Sequence, residues 1–176
     1  NAYYSPERKA LLFGYFNAAP ANVVLFMPGS LVYSCLSHDI IAHEVTHAIL
    51  DGIFRHYMDQ TNPDVGAFHE GFSDIVALFQ HFTFPEVLKN QIAKSRGKFD
   101  AENLLGQLAV EFGIASGGYG ALRDAIGTIG EKNGIWSLAK PDVNAYSSVF
   151  EPHDRGSILV AAVFDAYINI YNHRTE

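Results

Sequence analysis

The feature that most constrains this chain is an apolar run from Ile40 to Phe54 with His43-Glu44-Val45-Thr46-His47 near its centre. Apolar residues at 40, 41, 45, 48, 49 and 53 recur at the helical period, so the run reads as an amphipathic helix. In a helix His43 and His47 stand one turn apart, about 6 Å along the axis, and both imidazoles reach a common point. Neutral imidazole is a common zinc ligand, and a helix supplies two of them in fixed relative orientation. Glu44 is turned by roughly 100° from His43 and approaches from the flank, which makes it a candidate general base rather than a ligand. The bland alternative is a histidine pair on the solvent face of an ordinary helix.

A second helical period decides between them. Apolar residues at 68, 72, 75, 76, 79 and 82 follow Ala67-Phe68-His69-Glu70-Gly71-Phe72-Ser73-Asp74. Glu70 follows His47 after 22 intervening residues (48 to 69), enough for one helix to end, a loop to turn and another helix to return. Two histidines and one glutamate form the three-protein-ligand set of a catalytic zinc with an open fourth position. Asp74 lies one turn beyond Glu70, where a carboxylate can accept the spare N–H of a ligating histidine.

HEVTHAILDG followed by HEGFSD resembles the gluzincin metallopeptidases, in particular the thermolysin-like group, whose helices read HExxHxxxxD and then ExxSD. The likeness is strong over residues 37 to 84 and thinner elsewhere. CLSHDI, NPDVGAFHE and PHDRG are also similar to segments of a short bacterial thermolysin-related family. The resemblance implies His43, His47 and Glu70 as zinc ligands, Glu44 as base, and Asp51 and Asp74 as acidic supports. It implies an α+β, mainly helical catalytic core with a small N-terminal β part. It also implies zinc-dependent peptide-bond hydrolysis, with Zn2+ as the cofactor and a peptide or protein as substrate.

Away from those helices the resemblance points to further residues. Thermolysin-like enzymes bind the substrate backbone on an edge strand upstream of the zinc helix, the β-augmentation mode, and Asn22 to Phe26 is the candidate here. Val23–Phe26 and Leu31–Tyr33 read as short β segments around Pro28-Gly29, and for Asn22 to Phe26 a plain core strand is the alternative to a substrate-binding edge. Arg123, in Ala121-Leu122-Arg123-Asp124, stands in a context like that of the arginine that holds the substrate carbonyl; an ordinary helix-surface arginine is the other reading. His153, in Phe150-Glu151-Pro152-His153-Asp154-Arg155-Gly156, precedes the long apolar helix 157–171 as the oxyanion-donating histidine of that group does. Asp154 or Asp165 is expected to orient it. Arg155 is the competing electrophile, able to grip a carboxylate or carbonyl with two donors. The tyrosine that the group places before its ExxSD helix has no counterpart in Gln60-Thr61-Asn62-Pro63, and acidic calcium-binding insertions are lacking.

The remaining sequence sets bounds. With 176 residues, 48% of them hydrophobic, the chain can bury one core, and it reads as a single catalytic unit of a longer protein, with a β-containing lead-in (1–36) and a mainly helical remainder (37–176). A net charge of −7 with no basic run argues against nucleic acid and anionic membranes as partners. No apolar stretch approaches the roughly 18 residues of a membrane span, and no signal peptide is visible, which with a single cysteine leans toward the cytoplasm. Cys35 reads as a small buried hydrophobe. Ser37 is expected to cap the zinc helix and Asp64 the second, which should end near Phe84, before Pro85. Residues 85–112 read as helical, broken by the basic segment 94–98. Glycines 113, 117, 118 and 120 suggest a loop beside the cleft. His69 reads as a structural histidine, His38 and His56 as helix-terminal, and His81 as too far from Glu70 to ligate. An aminopeptidase of the same clan is a second reading, though the GxMEN motif is missing. A zinc-bearing domain without turnover is a third, and the unligated Glu44 argues against it.

Overall fold

The structure, a computed structural model, describes residues 1–19, 27–97, 104–117, 122–129, 136–138 and 142–175. These form a mainly helical fold with small two-stranded antiparallel sheets, in keeping with the α+β expectation. Strands β1 (Ala2–Ser5) and β2 (Ala10–Phe13) pair as a hairpin, Ala2 opposite Phe13 and Ser5 opposite Ala10. Strands β3 (Tyr15–Asn17) and β4 (Leu31–Tyr33) form a second pair. Gly14 joins the two: its N–H donates to Asn1 O (2.8 Å), and a Cβ there would lie 2.8 Å from that same oxygen. Fully buried Ser34 closes the junction, its hydroxyl bonded to the Gly14 backbone. The segment containing Asn22 to Phe26 lies outside the described residues.

Helix α1 (His38–Ile53) starts where expected, with Ser37 Oγ accepting from Ile40 N and Asp39 in the first turn. Its buried face holds Ala42, His43, Glu44, Thr46, His47 and Leu50, whereas Ile49 and Ile53 are 54% and 69% exposed. The apolar period identifies the helix, but the polar histidine face is the one packed inward. Helix α2 (Pro63–Gln80) is capped by Asn62, whose Oδ1 accepts from Asp64 N (2.9 Å), with Pro63 at the first helical position. Asp64, expected as the cap, instead takes the Arg155 guanidinium and the Tyr146 hydroxyl. A 3-10 turn at 81–83 follows α2, and Pro85 opens the next helix, α3 (Pro85–Ser95). That helix stops at Arg96 and Gly97, both left-handed.

The rest of the described chain consists of short pieces and one long helix. Strand β5 (Gln107–Leu108) pairs with β6 (Arg123–Asp124), so Arg123 lies on a strand and not on a helix. Helix α4 (Val110–Ala115) takes in Gly113, where a loop was expected; 118–121 lie outside the described residues. Strands β7 (Gly127–Ile129) and β8 (Trp136–Leu138) pair, and α5 (Pro152–Thr175) closes the fold. Helix α2 is central, packed on α1 and on α5. The core gathers Ala42, Ala77, Leu78, Leu108, Ala109, Ile126, Val160 and Phe164, with Phe79, Phe82 and Tyr167 ringing Phe164 or one another. Asp39 ties the start of α1 to two neighbours, taking His81 Nε2 (2.8 Å) on one oxygen and Ala109 N (2.7 Å) on the other. Cys35, expected to be buried, is exposed. No helix among the described residues is long and apolar enough to cross a membrane.

Gly71 and Gly156 set the spacing of α2 and α5. A Cβ on Gly71 would lie 2.7 Å from Gly156 O, and one on Gly156 would lie 2.7 Å from Ala67 O. Alanine at 71 gains up to about 1 kcal/mol of helix propensity, but forcing backbones apart in a packed interface costs about 1–3 kcal/mol. Gly71→Ala should therefore lower the urea midpoint; a more stable variant would contradict this close approach.

Candidate metal centre

One turn of α1 and one turn of α2 face each other at the centre of the fold. His43 Nε2 lies 3.0 Å from His47 Nε2 and 3.1 Å from Glu70 Oε2, and His47 Nε2 lies 3.6 Å from Glu70 Oε1. One ligand atom from each of the three falls within 4.8 Å of the others. Asp74, only 2% exposed, accepts from His43 Nδ1 (2.7 Å). A carboxylate there puts the imidazole proton on Nδ1 and leaves Nε2 as a bare lone pair aimed at the other two groups. His47 is arranged alike, its Nδ1 facing away toward His69 Nδ1 (3.3 Å) and Ser73 Oγ (3.4 Å). With the ring nitrogens facing Glu70 deprotonated, two buried imidazoles and one partly exposed carboxylate converge as ligand atoms, and this set fits Zn2+.

The electrostatics agree. Burial opposes charge on His43, yet the Asp74 and Glu70 carboxylates outweigh it and lift its pKa to about 9. Burial likewise opposes charge on Glu70, but contacts with His153, His43 and His47 hold its carboxyl far below the ordinary range. The pocket stabilises positive charge, whether a proton or a metal ion carries it.

Around this trio the structure distributes the other predicted residues unevenly. Glu44, next to the first histidine, is buried, and its Oε2 accepts from the Tyr4 backbone N–H (3.0 Å). His153 comes in from the start of α5, with Nε2 3.1 Å from Glu70 Oε2 and Nδ1 2.8 Å from Glu151 Oε1. The Glu70 contact, reinforced by Glu151 against the opposing effect of burial, raises the His153 pKa to about 9. Its orienting carboxylate is Glu151, not the expected Asp154 or Asp165. Arg123 donates from Nη2 to Asp74 Oδ1 (2.7 Å) and forms an ion pair with the same carboxylate, Nε 2.6 Å from Oδ2, so Asp74 bridges the arginine and His43.

Two predicted residues are employed elsewhere. Asp51, expected as an acidic support for the ligands, accepts the Tyr4 hydroxyl (2.7 Å), and this bond pushes the phenol's pKa up. Arg155, expected as a competing electrophile, is 8% exposed and fastens the 142–150 segment to α2. Its donors go to Asp64, Tyr146 O and Val149 O, and its guanidinium covers the Tyr146 ring at 3.9 Å. The edge candidate Asn22 cannot be placed, lying outside the described residues.

A cavity of about 500 Å³ opens beside the trio, with His43, Glu44, Arg123 and His153 on its polar side. Ile40, Leu108, Phe112 and Leu122 form its apolar side, and Asn1, Ala2 and Tyr3 at the start of β1 form its rim. The Tyr4 N–H points at Glu44, away from β2, so by strand alternation the Ala2 backbone also faces away from β2. Sequence reasoning expected a β-containing lead-in but missed Tyr4, the place of the β1 edge beside Glu44, Glu151 and the partnership of His69 with His47. Only two of these left a local signal: Glu151 stands two residues before His153, and His69 stands beside Glu70. Burial and the nearby His47 lower the His69 pKa, which keeps this ring neutral.

No protein-family model, no curated protein and no solved structure matches the chain.

Proposed function

We propose that this chain is a zinc-dependent hydrolase. Within that class it is best read as a metallopeptidase of the gluzincin type with a thermolysin-like catalytic core, cleaving peptide bonds in a peptide or protein substrate. The observation that carries the reading is the convergence of His43 Nε2, His47 Nε2 and Glu70 from two helices, with the Glu44 carboxylate beside His43 on the adjoining cavity.

His43, His47 and Glu70 would hold the ion, which in a three-ligand site would acidify water and polarise a carbonyl. Glu44, tethered through Oε2 by Tyr4 N–H, takes the proton of the attacking water on its other oxygen and delivers it to the departing amine. His153, held at Nδ1 by Glu151, presents Nε2–H to the negative charge that develops on the carbonyl oxygen. The β1 edge at Ala2 takes the substrate backbone as an added strand. Arg123 holds Asp74 in place.

The test is metal analysis of the purified chain together with cleavage of a mixed-peptide library, with and without chelator. The expected result is one zinc per chain and cleavage that stops on chelation and returns with zinc. A chain that binds no zinc overturns the reading. Zinc without cleavage of any peptide points to the non-catalytic zinc-bearing domain, and cleavage confined to unblocked amino ends points to an aminopeptidase.

A further inference from the structure

His69 has a neighbour that helix periodicity does not explain. It is 3% exposed, adjacent to Glu70 on α2, and its Nδ1 is 3.3 Å from His47 Nδ1. The two rings are within 19° of parallel, with centroids 5.5 Å apart. The centroid separation exceeds the nitrogen separation by 5.5 − 3.3 = 2.2 Å, about the width of one imidazole, so the two nitrogens lie between the rings and near the line joining them. This is an edge-to-edge arrangement and not a face-to-face stack. It is the geometry in which the N–H of one ring meets the in-plane lone pair of the other.

Only one of the two facing nitrogens can carry the proton. His47 Nε2 is turned to Glu70 and to His43 Nε2, so a neutral His47 has its proton on Nδ1 and donates. His69 Nδ1 then accepts, which places the His69 proton on Nε2. That atom is buried, and the Tyr57 backbone is the neighbour that favours a proton on the ring.

We infer that His69 is the positioning residue for His47. It is a neutral imidazole acceptor that fixes the tautomer and orientation of one metal ligand, as the Asp74 carboxylate does for the other. The inference rests on the zinc reading above. The two ligating histidines therefore have unlike supports: an anion tied to Arg123 behind His43, and an uncharged ring behind His47. The uncharged support adds no negative charge to a pocket that Glu70 and Asp74 already make anionic. Ser73 Oγ, at 3.4 Å from His47 Nδ1, is the rival acceptor.

The test compares zinc affinity by chelator competition in the wild-type chain and in His69→Leu, His69→Asn and Ser73→Ala. Loss of such a supporting hydrogen bond typically weakens metal binding by about 10–100-fold. His69→Leu should show that loss, His69→Asn should recover most of it because its amide oxygen can accept, and Ser73→Ala should bind as wild type. Nitrogen-15 NMR of the zinc-loaded wild type, which needs no variant to fold, should show the proton on Nδ1 of His47 and on Nε2 of His69. Undiminished affinity in His69→Leu, the loss appearing in Ser73→Ala instead, or a proton on His69 Nδ1 would each overturn the relay. A wild-type chain without zinc affinity would instead remove the metal reading on which it rests.

Discussion

Glu44→Gln is expected to retain zinc at the wild-type level and to lower peptide hydrolysis by about 10²–10⁴-fold, the usual contribution of a positioned acid–base group. The substitution is nearly isosteric, and the amide oxygen can still accept from the Tyr4 N–H that holds the carboxylate in place. Glu44 is not one of the three converging donors, so the ion has no reason to leave. What disappears is the ability to accept a proton from water. Metal analysis and a peptide assay on the same preparation separate the outcomes. Full activity in this variant would eliminate Glu44 as the base, and loss of zinc would make it part of the metal-holding structure.

The second large effect is expected at Asp74. Its two oxygens serve His43 and Arg123 at once from a position that is 2% exposed. In Asp74→Ala the guanidinium and the imidazole lose their shared partner inside the protein, and stranding a buried charge costs about 3–5 kcal/mol. Arg123 is partly exposed, so water recovers some of that cost and the lower end is the expected figure. His43 also loses the contact that keeps its proton on Nδ1, and zinc affinity should fall by about 10–100-fold. Urea melts of the metal-free chain read the first effect, and chelator competition reads the second. A variant that melts like wild type and holds zinc equally well would show that Asp74 supports neither partner.

The positions of these residues differ in how far they could be read in advance. The caps of α1 and α2 illustrate the difference. Ser37 was legible because an N-cap bond spans only three residues, to Ile40 N. Asp64 has the residue type of the second cap, but a carboxylate within reach of Arg155, 91 residues away in the chain, is claimed by that arginine, and Asn62 caps instead. Arg155 likewise carries the residue type of an electrophile, and no local pattern reports that Tyr146 and Val149 carbonyls surround it. Asp51 has the motif spacing of an acidic support, yet Tyr4 sits over it because a hairpin 47 residues upstream folds onto α1. Ile49 and Ile53 mark the helix by their period, but which face turns inward depends on what α2 offers opposite.

What the amino-acid order alone determined is everything that one helical turn dictates: His43 and His47 on a common face, Glu44 on its flank, and Glu70 and Asp74 one turn apart on a second helix. Such geometry follows from 3.6 residues per turn and needs no knowledge of neighbours. Only the tertiary structure decided who stands behind each histidine: Asp74 with Arg123 at His43, His69 at His47, and Glu151 at His153. Those partners are brought in by contacts between distant segments, set by backbone approaches such as Gly71 against Gly156. The closeness of two helices is a property of the pair and is written in neither one's periodicity.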